Sequence, residues 1–177
     1  MRPPKEFVTP RLRLRTPRLE DAEAIFKNYA QDPEVVKFLT WEPHQSVEQT
    51  RAFLQVILNG SQAAVQFPYV IELRPDGPLL GMIEFRREGT MADLGCVLAK
   101  VHWGKGYMTE AVKALVDWGL SQNDIFRIWS MCDLENPASA RVMEKAGMTR
   151  EGILRRRMIH PNVSDEPRDV YCYSIVK

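Results

Sequence analysis

The sequence predicts a mixed α/β (α+β) domain built around one sheet. Three observations carry this. The apolar period switches between two and about 3.6 along the chain. The segments follow the order β-α-α-β-β-β-α-β-α-β-β, with antiparallel strands in the middle. A crossover helix stands on either side of the extended segment 125–132. With 177 residues, 45% of them hydrophobic, the chain can bury one substantial core. It shows no linker and no second core, so a single domain is expected over residues 9–177.

Each element has its own signal. RLRLRT (11–16) alternates basic and apolar side chains, as a half-buried strand does. After Pro17, Leu19, Ala22, Ile25, Phe26 and Tyr29 recur at helical spacing. DPEVVKFLTWEPHQ is punctuated by proline and reads as short helix and loop. Ser46, with Gln49 three residues on, predicts a capping box. The helix it opens carries Val47, Phe53, Leu54, Ile57 and Leu58, and is expected to stop at Asn59-Gly60. FPYVIEL (67–73) and LLGMIEFR (79–86) predict strands flanking the turn RPDGP. ADLGCVLA (92–99) predicts a third, in which Gly95 marks a bulge or a close backbone approach. A helix follows to about Leu120, and IFRIWSMC (125–132) reads as a strand. Asn136 caps the next helix, with Pro137 first and Gly147 just past its end. MTREGILRRRMI and DVYCYSIV close the chain as strands joined by the polar loop HPNVSDEPR (160–168).

Composition narrows the function. With 24 basic and 23 acidic residues the net charge is +1, too small a field to recruit nucleic acid or an acidic membrane, although a local patch stays open. No apolar run approaches the ~20 residues of a membrane span, and MRPPKEFVTP lacks the apolar core of a signal peptide. The three cysteines, Cys96, Cys132 and Cys172, are odd in number and set in apolar contexts, which points to reduced thiols of a cytoplasmic protein. His44, His102 and His160 are too scattered to suggest a metal site.

The chemistry concentrates in VHWGKGYMTEAVKAL (101–115), where Gly104 and Gly106 precede a helix that opens between Tyr107 and Thr109. Bare backbone amides next to the free N–H groups of a helix start make an anion site, and a phosphorylated ligand suits it. A Walker loop is excluded by spacing. A dinucleotide fingerprint fails because Thr109 stands where the third glycine belongs, and because the loop lies mid-chain. Taken by itself, the G-x-G also fits a plain tight turn.

A second motif, NPASARVMEKAGM (136–148), lies about 30 residues downstream. Together, Trp103-Gly104-Lys105-Gly106-Tyr107-Met108-Thr109-Glu110-Ala111 and Asn136 through Met148 resemble the GNAT superfamily of acetyl-CoA-dependent N-acetyltransferases. Within it the chain is similar to the RimJ/RimL-type branch, the ribosomal-protein N-terminal acetyltransferases and their relatives. The stretches RLRLRTPRLED and FLTWEPHQSVEQT match that branch too, so the resemblance runs nearly end to end.

The resemblance implies a mostly antiparallel mixed sheet flanked by helices, with a splayed strand pair forming the acetyl-CoA cleft. It implies that the backbone of Cys96, Val97 and Leu98 holds the pantetheine arm, and that the loop from His102 to Thr109 cradles the pyrophosphate. Val101 departs from the wider pattern, which has Gln or Arg there. Lys105 either adds charge to the phosphates or is simply solvated. Asn136 is open to two roles, helix capping and a bond to the pantetheine amide. A strand N–H near Val97 or Leu98 is expected to polarise the thioester carbonyl.

For the base that deprotonates the amine, Asp93 falls on the family's acidic strand position, and Glu84 lies on the neighbouring strand; each also reads as a half-exposed strand carboxylate. The usual acid, a tyrosine seven residues after the capping Asn, is Met143 here. The branch offers Ser139 instead, which is otherwise a solvated first-turn residue. The expected activity is acetyl transfer to a primary amine, a protein N-terminus or a small molecule, by a monomer or homodimer. A catalytically silent acyl-CoA sensor or scaffold is the competing expectation.

Overall fold

The structure, a computed structural model, describes residues 2–62 and 65–177. Among them, eight strands form one sheet: β1 (Glu6–Val8), β2 (Leu12–Arg15), β3 (Gln66–Leu73), β4 (Leu79–Glu88), β5 (Met91–Leu98), β6 (Arg127–Asp133), β7 (Thr149–His160) and β8 (Ser164–Val176). Their order is β1-β2-β3-β4-β5-β6-β8-β7. Neighbours run antiparallel, with β5–β6 the parallel pair. The helices are α1 (Ala22–Ile25), α2 (Pro33–Val36), α3 (Val47–Gln62), α4 (Tyr107–Ser121) and α5 (Pro137–Lys145).

Strand alternation divides the core in two. Tyr69, Ile71, Ile83 and Phe85 point to the face covered by α4 and α5, where Leu115, Val116 and Met143 pack on them. Val70 and Met82 point to the other face, against Ala22, Ile25, Tyr29 and Leu54 of the N-terminal helices. Gly119 of α4 lies where a Cβ would run into Ile128 and Phe85, so helix and sheet approach closely there.

Five details differ from the sequence reading. The sheet takes in Glu6–Val8, ahead of the first predicted strand; at three residues, just after two prolines, it has too few positions to show alternation. The predicted first helix is composite, a 3-10 turn (Leu19–Asp21), α1, and a π-type segment (Phe26–Ala30). Helix α3 runs through Asn59-Gly60 to Gln62. At its start Ser46 Oγ accepts from Gln49 N–H at 3.2 Å, but the Gln49 side chain accepts from Gln45 N–H, one residue earlier than a capping box requires. The predicted loop 160–168 is mostly strand, a hairpin that turns at 161–163 and closes with Val163 N–H on His160 C=O at 2.8 Å. Its register shifts there, and Pro167 falls in the irregular stretch between the pairs His160↔Ser164 and Met158↔Arg168, where no ladder N–H is needed.

Candidate active site

The site begins where the sheet comes apart. β5 and β6 pair only through Met91↔Arg127, Ala92↔Ile128 and Asp93↔Trp129, although both strands continue. At the fork, Ser130 Oγ donates to Leu94 C=O at 2.8 Å. Beyond it, β5 presents backbone to open space. Ala99 N–H bonds back to Leu80 C=O on β4, whereas Leu98 C=O accepts from Trp103 Nε1 at 2.7 Å on the other side. Strand alternation therefore turns the backbone of Cys96 and Leu98 into the gap and that of Val97 toward β4, where the Val97 carbonyl lies against Gly81. Of the three strand residues named for backbone binding, Cys96 and Leu98 face the gap with their main chain.

The gap opens into a cleft of about 570 Å³. Every predicted binding residue from Cys96 to Thr109, and Asn136 and Ser139, lines it except Lys105. Gly104 and Gly106 have φ of 75° and 78°, a region that costs other residues roughly 1–2 kcal/mol. Gly106 is the N-cap of α4, so the free amides of the first helical turn face the cleft. Nothing lies within 4 Å of where a Cβ at Gly104 would sit, and Gly106 would meet only Arg11 at 3.5 Å.

Arg11 fixes the loop. Its Nε donates to Glu110 Oε2 at 2.6 Å, its Nη1 to the Lys105 carbonyl at 3.0 Å, and its guanidinium stacks over Tyr107 at 4.7 Å. Lys105 thus contributes its carbonyl to the clamp. Across the cleft, Lys37, Arg141 and Lys145 supply positive charge. The same wall brings Asn136, whose Oδ1 accepts from Ser139 N–H at 3.1 Å and caps α5.

A second cavity of about 220 Å³ adjoins the first and shares Phe38, Leu39, Cys96, Val97, Asn136 and Ser139 with it. Trp41, Phe53, Tyr29 and Trp129 supply aromatic walls. Glu84 and Asp93 both lie on its floor, bridged by Arg86, which donates to Asp93 Oδ2 at 2.8 Å and to Glu84 Oε2 at 3.0 Å. Burial holds the Glu84 carboxyl above its ordinary range, with Arg86 working against that and Asp93 with it. The guanidinium of Arg86 lies over Gly95, where a Cβ would come within 3.2 Å of it. The ladder shows no register shift at Gly95, so of the two predicted readings the close approach is the one observed.

Ser139 stands at the junction of the two cavities, beside the Cys132 thiol. Burial pushes that thiol up to about 12, and burial pushes Cys96 up to about 11, so neither offers a ready thiolate nucleophile. Met143, where the family's tyrosine is expected, is buried in the core away from both cavities. Among the described residues no group of three or more His, Cys, Asp and Glu side chains could hold a metal ion.

Sequence reasoning missed three groups at this site. Arg86 emerges only once β4 and β5 are in register. Asp133 and His160 meet through strands far apart in the chain: His160 is 2% exposed, its Nε2 3.6 Å from Asp133 Oδ2. Asp133 in turn accepts from Arg168 Nε at 2.6 Å and from Glu135 N–H at 2.8 Å. Burial opposes its charge, but Arg168 prevails and holds its carboxyl below the usual carboxylate range.

Known proteins share this arrangement. The family described as the acetyltransferase (GNAT) domain matches residues 11–149. The uncharacterised N-acetyltransferase YoaA of Bacillus subtilis (strain 168) is 33% identical over 172 residues, covering 96% of this chain and 95% of YoaA. A GNAT-family acetyltransferase structure from Bacillus anthracis is 31% identical with a TM-score of 0.81, covering 97% of this chain and 98% of that one. The ribosomal L7/L12 α-N-protein acetyltransferase RimL, solved with coenzyme A, superposes with a TM-score of 0.84 at 23% identity, over 96% of each chain. The family model covers most of the chain, which belongs to the GNAT acetyltransferases.

Proposed function

We propose that this acetyltransferase moves an acetyl group from acetyl-CoA to a primary amine by direct attack. The observation that carries this is the meeting of two cavities at Ser139, one walled by helix-start amides and basic side chains, the other by carboxylates and aromatic rings. The open space over Gly104 and the cations Lys37, Arg141 and Lys145 fit phosphates; the unpaired strand backbone fits a pantetheine amide. RimL, which shares this fold, was solved with coenzyme A.

Acetyl-CoA supplies an activated acyl carbon and a thiolate leaving group. The chain's residues do the rest. Amides at Gly106 and in the first turn of α4 bind phosphate oxygens, and Asn136 orients the arm with whatever capacity its capping bond leaves. The N–H of Leu98 or Cys96, turned into the gap, polarises the acyl carbonyl. Glu84 and Asp93, partly neutralised by Arg86, attract an ammonium into the smaller cavity. Ser139, which lines both cavities, passes a proton to the departing sulfur.

The acceptor is a protein N-terminus or a small amine. Thiol detection of CoA release from acetyl-CoA with a panel of primary amines tests the reading. Amine-dependent release supports it. Tight acetyl-CoA binding with no release from any amine would leave the silent acyl-CoA module in its place.

A further inference from the structure

We propose that His160, backed by Asp133, is the base that takes the proton from the acceptor amine. This rests on the acetyl-transfer reading above and assigns a role within it to residues that no motif marks.

The first support is an unmet bonding need. Among the described residues, the buried side-chain nitrogens and oxygens without a hydrogen-bond partner are both ring nitrogens of His160 and the hydroxyl of Tyr29. Both residues line the same 220 Å³ cavity. A buried polar group left unpaired is destabilising, so a bound molecule that supplies the missing partners fits this cavity better than an apolar one.

The second support is what stands behind the ring. The Asp133 side chain is fully buried, and its Oδ2 lies 3.6 Å from His160 Nε2. A carboxylate there favours a proton on Nε2, leaves the lone pair on Nδ1, and stabilises the imidazolium once formed. Asp133 cannot swing away, because Arg168 donates to both of its oxygens, at 2.6 and 3.1 Å. Arg168 is itself held by Glu135 at 3.1 Å. Phe38 packs edge-on against the imidazole with centroids 6.2 Å apart and brings no charge.

The remaining charges of the cavity are Glu84 and Arg86 on β4 and Asp93 on β5. Both carboxylates share the Arg86 guanidinium, whose donors already occupy one oxygen of each. The cation behind Asp133, on Arg168, is engaged by Asp133 and Glu135.

The proton count closes. The ammonium gives one proton to His160, and the freed lone pair attacks the acyl carbon. The C–N bond forms, the C–S bond breaks, and the second amine proton ends on the coenzyme sulfur. His160 then returns its proton to solvent.

The test compares CoA release by the parent, His160→Gln and His160→Ala with a panel of primary amines from pH 6 to 9. Acetyl-CoA affinity by calorimetry confirms that each variant is folded. The parent is expected to show a bend in kcat/KM where its base ionises. His160→Gln should lose about a hundredfold or more in kcat/KM. It should climb steadily with pH, without the bend, and keep its acetyl-CoA affinity. Added imidazole should restore part of the activity of His160→Ala, which a merely structural role would not do. Asp133→Asn, a positioning change, should move the bend to lower pH. Ring-nitrogen NMR of the parent needs neither variant nor turnover, and should show the Nε2–H tautomer at pH 8. Activity of His160→Gln within threefold of an active parent, with the same bend, overturns the role of His160 and leaves acetyl transfer standing; a ring protonated on Nδ1 at pH 8 does the same. A parent that binds acetyl-CoA but releases CoA with no amine overturns the acetyl-transfer reading and the base with it.

Discussion

The two cavities that meet at Ser139 are built in different ways. The larger is made by backbone: two glycines with positive φ, the first turn of α4, and the unpaired edge of β5. The smaller is made by side chains from distant parts of the chain, Arg86 between Glu84 and Asp93 on one side and Asp133 between Arg168 and His160 on the other. A backbone site tolerates many side chains and asks only for glycine and a helix start. A side-chain site depends on register, burial and charge, and each member supports the next. Substitutions should therefore act locally in the first region and cooperatively in the second.

The largest effect is expected at Arg168. Arg168→Met would leave the buried Asp133 carboxylate with only the Glu135 N–H and His160 beside it. Breaking a buried pair from one side costs about 3–5 kcal/mol; with Arg168 partly exposed, about 2–3 kcal/mol is expected. That corresponds to a fall of roughly 4–12 °C in Tm for a chain of this size. A melt within 1 °C of the parent would show that the side-chain region is not cooperative.

Gly106→Val should act in the backbone region alone. At φ 78° a β-branched residue is strained by roughly 1–2 kcal/mol, and its side chain would stand beside the loop amides. Acetyl-CoA affinity by calorimetry should drop tenfold or more while the variant stays folded. Unaltered affinity would remove the loop from the phosphate site.

Ser139→Ala, at the boundary, sharpens the division. Its backbone N–H, which serves the Asn136 cap, is kept, so acetyl-CoA affinity should hold while kcat falls by about 10² or less, a thiolate being a good leaving group. Loss of affinity instead would make Ser139 part of the binding wall only.

The smallest effect concerns acid. The Asp133 carboxyl is lowered in the folded state, so its contribution to stability is complete above the unfolded value near 3.9 and is lost as pH falls through the folded value. Melts of the parent should weaken below about pH 4, and Arg168→Met should weaken less, because Arg168 holds the carboxyl down. Equal acid slopes would mean that Asp133 is set by something other than Arg168.

The same contrast decides what was legible in the sequence. Gly104, Gly106 and Asn136 act through backbone geometry within a few residues of themselves, so their local pattern marks the cleft, and the resemblance to a family names the tenant proposed for it. The strands that frame it are short, largely apolar runs, ADLGCVLA and IFRIWSMC, legible one at a time. By contrast, Arg86 looked like one more charge at a strand end; its place between Glu84 and Asp93 follows from the β4–β5 register, which no local pattern states. In the sequence His160 opens a polar stretch rich in turn residues and reads as loop. Hairpin pairing with Ser164 makes it the last residue of β7, and tertiary packing buries it. Arg11 reached the glycine loop from the other end of the chain, a contact invisible to any short window.

The most direct test of the account is a thermal melt with and without acetyl-CoA. A ligand that binds only the folded chain, at about 100 times its dissociation constant, adds about 2.7 kcal/mol. For a chain of this size Tm should then rise by roughly 5–11 °C, and the rise should shrink in Gly106→Val. A melt unmoved by saturating acetyl-CoA would contradict the claim that the forked strands and the glycine loop form its binding site.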